Sequence, residues 1–246
     1  MLVPFEIIRP PWPAPANVRA AVTTRSGGVS LPPYDSLNLG DHVGDDPQAV
    51  AENRRRLVDA LKLPAEPRWL KQVHGTCSVD ASRCTTGCEA DAVYTEKSGV
   101  VCAVLTADCL PLLLCDRGGT RIAAVHAGWR GLLAGVIEQT VSAMGSPDEL
   151  MVWLGPAIGP RAFEVGAEVR EAFVTEDAAA DGAFAPSTDG RYLADIYALA
   201  RLRLHRVGVD AIYGGEHCTY SEPERFYSYR RDGVTGRMAG LIWLES

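Results

Sequence analysis

No block of this 246-residue chain is rich in lysine or arginine, and the formal net charge is -7 with a pI near 5.3. Without clustered cations there is no surface to track a phosphodiester backbone, so nucleic acid is not an expected partner and any anionic ligand must be met by individual arginines. Long apolar runs are missing as well. The longest, residues 100–115, is interrupted by Asp108 and Pro111, which excludes it as a membrane span. Residues 1–16 carry five prolines where a secretory signal would place a charged region and an apolar run. A cytoplasmic protein with no membrane partner is therefore expected. Paired Cys-x-x-Cys knuckles are absent too. The seven cysteines are an odd number, scattered through a chain too large to need cross-links, so reduced thiols are expected, Cys77, Cys84 and Cys88 included.

What is present can bury a large core: 47% of residues are apolar and 22% charged. The whole chain, 1–246, is expected to form one domain with a proline-rich N-terminal segment at 1–16. Alternating or continuous apolar runs predict strands at 18–24, 68–73, 78–81, 90–94, 100–105, 112–115, 121–125, 150–154, 211–213, 226–229 and 238–244. A helix is predicted after Asp46 and Pro47, ending before Pro64, with others at 132–143, 167–174 and 192–207. Residues 175–190, rich in Ala, Asp and Gly, read as a surface loop. Strands outnumber helices and do not alternate regularly with them, which favours a mixed α/β layered sandwich over a doubly wound parallel sheet.

Three potential metal ligands stand out because each closes an apolar run and meets a turn-forming or small residue. They are His74 in Lys71-Gln72-Val73-His74-Gly75, Cys109 in Thr106-Ala107-Asp108-Cys109-Leu110-Pro111, and His126 in Val125-His126-Ala127-Gly128-Trp129. Two imidazoles and a thiolate would leave a zinc ion with a free fourth position, which is the catalytic arrangement. The bland reading is a buried cysteine and two hydrogen-bonded scaffold histidines. Asp108 could orient a ligand histidine or move a proton, or it could cap backbone amides; Asp91 has the same two readings. The catalytic set is thus Asp108, Cys109 and His126.

Anion and base recognition falls to scattered residues. Arg130 opens a predicted helix just after His126, and the segment 226–237 supplies Tyr229, Arg230 and Arg237. Guanidinium groups bind phosphate in a planar, bidentate fashion. With Arg25, Asn38, Gln72 and Glu164, which could reach a ribose hydroxyl, these make up the expected substrate-binding set. His42, His205 and His217 lack a comparable setting.

Taken together, Thr24-Arg25-Ser26-Gly27-Gly28-Val29-Ser30, Asn38-Leu39-Gly40, Gln72-Val73-His74-Gly75, Thr106-Ala107-Asp108-Cys109, His126-Ala127-Gly128-Trp129-Arg130-Gly131 and Ser228-Tyr229-Arg230-Arg231-Asp232-Gly233 resemble the family once labelled laccase domain or polyphenol oxidase, whose members are described as zinc-containing purine nucleoside phosphorylases. The resemblance runs from about Thr24 to the C-terminus. It implies a single-domain four-layer α/β/β/α sandwich and phosphorolysis of adenosine, inosine, guanosine and methylthioadenosine, with adenosine deaminase activity at the same site. It also implies zinc held by His74, Cys109 and His126, with copper possible in vitro, and purine nucleosides and phosphate as partners; a monomer is expected. The rival readings are a copper-dependent polyphenol oxidase, which five histidines in the chain supply poorly, a zinc amidase editing peptidoglycan precursors, and a binding protein with a structural metal clip.

Overall fold

The computed structural model describes residues 5–245; the first four residues of the proline-rich segment and Ser246 lie outside the described residues. In chain order the strands are β1 (Ile7–Ile8), β2 (Val18–Thr23), β3 (Ser78–Asp80), β4 (Ala92–Thr95), β5 (Val101–Thr106), β6 (Leu110–Asp116), β7 (Ile122–Ala127), β8 (Leu150–Leu154), β9 (Glu164–Val165), β10 (Phe184–Pro186), β11 (Tyr192–Ala194), β12 (Ala211–Gly214) and β13 (Met238–Leu244). The helices are α1 (Pro47–Leu61), α2 (Trp129–Ala134), α3 (Val136–Met144), α4 (Ala167–Glu176), α5 (Ile196–Arg206) and α6 (Tyr229–Asp232).

Alternate residues of the central strands serve different cores, as the two-residue period of extended chain requires. Val101, Ala103 and Leu105 of β5, with Ala239, Leu241 and Trp243 of β13, pack under Leu57 and Leu61 of α1. Their neighbours Cys102, Val104, Ile242 and Leu244 turn the other way, onto Leu113, Ile122, Ala124, Met151 and Trp153. The first group of strands forms an antiparallel sheet in the order β1-β2-β13-β5, and the second belongs to a six-stranded mixed sheet in the order β12-β8-β6-β7-β4-β3. On the far face of the larger sheet, Leu112, Leu114, Val125 and Val152 lie beneath Leu132, Ile137, Leu199 and Leu204 of α2, α3 and α5. The result is the expected mixed α/β fold, layered helix, sheet, sheet, helix. Sheets buried on both faces need apolar residues at successive positions, which is why β5 to β8 read as continuous hydrophobic runs. A small third sheet, β10-β11-β9, sits beside α4.

Several local expectations are corrected. The run at 68–73 is not a strand. Arg68 bridges Cys102 and Lys71 bridges Glu89, so the chain changes partner before any ladder can grow. The helix foreseen at 132–143 is cut by Gly135, whose φ of 102° ends α2 and opens α3. At 192–207 a strand precedes the helix, because Asp195 caps α5 by accepting from the amides of Tyr197 and Ala198. Within 175–190, Phe184 is buried against Phe173 and starts β10. Phe226 and Tyr227 are fully buried, but Ser228 then caps α6 in place of a continuing strand. Cys84 and Cys88 are joined as a disulfide and not free, since the turn at Gly87 (φ 86°) brings their Cα atoms to 6.0 Å. Cys77, Cys102, Cys109, Cys115 and Cys218 are free thiols. No helix among the described residues is long and apolar enough to cross a membrane.

Candidate metal centre and active-site pocket

His126 lies near the end of β7, on the face that Ile122 and Ala124 turn toward the space between the sheets. Cys109 occupies the corner where the chain leaves β5 of one sheet and enters β6 of the other; its neighbour Asp108 has a φ of 88°. His74 sits in the loop before β3 with a φ of 59°, in the left-handed region that non-glycine residues rarely enter. The three ligand atoms lie within 4.8 Å of one another. Cys109 Sγ is 3.8 Å from His74 Nε2, and the two imidazole rings meet edge to face with centroids 4.8 Å apart. Burial is graded, from His126 inside through Cys109 to an exposed His74, so the cluster is open on one side.

Asp91, fully buried just before β4, anchors this group. Its Oδ1 accepts from His126 Nδ1 at 2.8 Å and from the His74 amide at 2.9 Å, and its Oδ2 accepts from the Gly75 amide at 2.7 Å. With Nδ1 so engaged, Nε2 is the His126 atom available to a metal. Burial pushes the Asp91 carboxyl up, but the bonds from His126, Gly75 and Val73 outweigh it and hold the group below the ordinary carboxylate range. Burial likewise raises the Cys109 thiol, and the charge and hydrogen bonds of His126 and His74 reverse this, leaving it below the ordinary thiol range. Thiolate character is what a metal ligand requires.

Gly128 closes the cluster from behind. A Cβ there would fall 2.8 Å from His74 Cδ2 and 3.0 Å from Cys109 Sγ, so the close approach of the two ligands depends on the missing side chain. Gly128→Ala is expected to weaken metal binding about 10-fold, comparable to loss of a ligand's hydrogen-bond partner, with the change read by chelator competition.

The cluster forms part of the wall of a cavity of about 570 Å³ at the open end of the space between the sheets. Of the expected contacts, Gln72, Arg130, Tyr229, Arg230 and Arg237 also line it, as does Asp108. Gln72 is a wall fixture: its amide donates to the Leu105 carbonyl at 2.8 Å and accepts the Leu105 amide at 2.7 Å. Asp108 is likewise engaged, accepting from the Thr219 hydroxyl at 2.6 Å and the Arg230 amide at 2.7 Å, so its observed work is to hold the start of α6 against the pocket. Arg130 stacks over the Trp129 ring at 4.5 Å. Arg230 donates to the Glu164 carbonyl at 2.7 Å and lies over Phe163. Burial pulls the Arg237 guanidinium below its ordinary range.

Three expected contacts are placed elsewhere. Arg25 donates to the Asp35 and Pro223 carbonyls and lies over Tyr227. Asn38 is fully buried, tying Gly40, Asp45 and the Arg237 amide together. The Glu164 carboxylate is taken by Ser187 and Arg191. All three shape the surroundings of the pocket and do not line it. Conversely His42, Trp129 and Phe163 line it without having been singled out. Only Trp129, beside Arg130 in the quoted motif, carried a local signal. Burial and the neighbouring Arg237 hold His42 below the ordinary histidine range.

Residues 19–245 match the family model described as multi-copper polyphenol oxidoreductase laccase. The chain belongs to this laccase-like family. Family members include a Pseudomonas aeruginosa protein named purine nucleoside phosphorylase, 61% identical over 97% of this chain and 98% of that protein, and the Escherichia coli purine nucleoside phosphorylase YfiH, 59% identical over 97% and 99%. The crystal structure of a Neisseria meningitidis member superposes with a TM-score of 0.94 at 53% identity, covering 98% of this chain and 99% of that one. YlmD from Geobacillus stearothermophilus gives 0.87 at 33% identity over 94% and 93%. The cluster and cavity described above are therefore features of a laccase-like chain whose named relatives are nucleoside phosphorylases.

Proposed function

We propose that this chain is a zinc-dependent purine nucleoside phosphorylase acting on adenosine, inosine, guanosine and methylthioadenosine, and that the same pocket deaminates adenosine. The observation that carries the proposal is the meeting, in one cavity of about 570 Å³, of a two-imidazole, one-thiol cluster with three guanidinium groups. Relatives named purine nucleoside phosphorylase at 59% and 61% identity supply the reaction class.

The donor set fits zinc: two imidazole nitrogens and a sulfur whose thiolate is favoured make up three ligands of an open site. His74, Cys109 and His126 would hold the ion, which when bound supplies Lewis acidity next to the substrate. The protein's own residues account for the rest. In phosphorolysis a phosphate oxygen forms a bond to the ribose C1′ while the bond from C1′ to the purine nitrogen breaks with its electron pair going to the base; the base takes up one proton and the hydrogen phosphate gives one up, so free base and ribose 1-phosphate result. Arg130, Arg230 and Arg237 bind the phosphate and stabilise its charge as it attacks; each lies over a ring, Trp129, Phe163 and Tyr229 in turn, and Arg230 and Arg237 are also held by the carbonyls of Glu164, Thr235 and Gly236. Of these rings, the accessible Trp129 and Tyr229 can offer a face to the purine.

The family description also favours a copper oxidase. Among the described residues, however, His74, Cys109 and His126 form the single group of three or more metal-capable side chains. His205 pairs with Asp210 and His217 packs on Phe226, so neither contributes to a second centre.

Purified protein is expected to carry about one equivalent of zinc and to convert inosine to equal amounts of hypoxanthine and ribose 1-phosphate only when phosphate is present. Chelation should abolish this and zinc restore it. Base release independent of phosphate, or an intense blue colour with strictly copper-dependent phenol oxidation, would sink the proposal.

A further inference from the structure

We infer that Asp91 is a positioning residue that assembles the metal centre from two separate chain segments, setting the ring of one histidine ligand and the backbone of another with a single carboxylate. The inference rests on the metal reading proposed above.

The β4–β7 ladder puts Asp91 where it can do this. Ala92 pairs with Val125, so the preceding residue of one strand falls beside the following residue of the other, and the His126 amide donates to the Asp91 carbonyl at 2.7 Å. The carboxylate then bonds the same residue's Nδ1 at 2.8 Å. Backbone and side chain of His126 are thus held by one neighbour, and the ring is oriented with Nε2 toward the cluster. A carboxylate bonded to the far nitrogen of a ligand histidine fixes its orientation and raises its basicity.

The same carboxylate reaches the second ligand through the backbone. Three consecutive amides, those of Val73, His74 and Gly75, converge on it at 3.2, 2.9 and 2.7 Å. Successive amides turned toward one anion form a concave nest, a conformation that an anion stabilises. The nest bends the chain at His74, whose φ of 59° would otherwise be unfavourable for a residue with a side chain. Gly131 of α2 seals the loop from behind, since a Cβ there would lie 2.8 Å from the Gly75 carbonyl oxygen. Asp91 is 0% exposed, so water does not compete for these bonds. The neighbouring carboxylate in the pocket wall, Asp108, is held by Thr219 and Arg230 and cannot substitute.

An amide in place of the carboxylate would present one acceptor oxygen and an NH₂ group to a site made wholly of donors. For Asp91→Asn the zinc affinity, read by chelator competition, is expected to fall 10- to 100-fold. Amide exchange at His74 and Gly75 in the metal-free protein should quicken in step. In wild-type metal-free protein labelled with ¹⁵N-histidine, His126 should show a slowly exchanging Nδ1 proton, a measurement that needs no variant to fold. A folded Asp91→Asn protein that binds zinc within about threefold of wild type, even with a lowered Tm, would overturn the inference; so would wild-type protein lacking that proton. A wild-type chain that shows the proton but retains no metal would instead count against the proposed function, which keeps the two failures apart.

Discussion

Cys109→Ala is expected to strip the protein of metal and turnover together: bound zinc falls from about one equivalent to a trace, and phosphate-dependent cleavage of inosine falls more than about 100-fold, beyond the loss seen when only a ligand's hydrogen-bond partner is removed. The thiolate is the single anionic donor of the trio, and without it two imidazoles remain. Stability of the metal-free protein should change little, because Cys109 lies half-buried at a corner, its sulfur faces the His74 and His126 rings, and it belongs to none of the apolar clusters. Metal analysis, phosphorolysis and a melting curve on one preparation decide the matter. Full activity without bound metal would refute the metal assignment.

Asp108→Ala should behave in the opposite way. Its carboxylate bonds the Thr219 hydroxyl and the Arg230 amide across more than a hundred residues of chain. Hydrogen bonds to a charged acceptor contribute about 1.5–3 kcal/mol each, so losing the two costs at least about 3 kcal/mol, the lower end of that range. For a chain of this length that lowers the Tm by about 6–12 °C. Metal content should stay near one equivalent, and activity should fall chiefly through KM as Arg230 loses its seat. A proton-shuttling role for Asp108 would give the reverse pattern, an unchanged Tm with a collapsed kcat.

These two residues show how far the chain could be read unaided. Strands buried on both faces were legible to the residue at 150–154 and 238–244, because a sandwich interior demands unbroken apolar runs there. The helix at Pro47 was legible because Asp46 caps it through the Gln48 amide. The run at 68–73 offered a weaker strand signal, in Trp69, Leu70 and Val73, and its partners lie on two different segments; pairing is a property of tertiary position that no local pattern carries. The convergence of His74, Cys109 and His126 was foreseeable from where runs end. Which aspartate serves them was not: Asp91 and Asp108 both sit next to alanine, and only the register of β4 against β7 separates them. Asn38 and Arg25 were singled out as ligand contacts and turn out to brace loops, since an amide or guanidinium suited to a substrate is equally suited to backbone carbonyls. His42 offered no signal because the pocket edge it completes is closed by Arg237, nearly two hundred residues away.

One pairing has a bearing on how the molecule is made. β13 lies between β2 and β5, joined to the first by partners such as Leu241 and Ala21 and to the second by Leu241 and Ala103. Contacts this distant along the chain slow folding, since a long loop must close before they form. During synthesis, the smaller sheet therefore lacks its middle member until the last strand clears the ribosome, by which time every strand of the larger sheet has emerged. The half that carries His126 can organise early, and the lid of hydrocarbon over it arrives last.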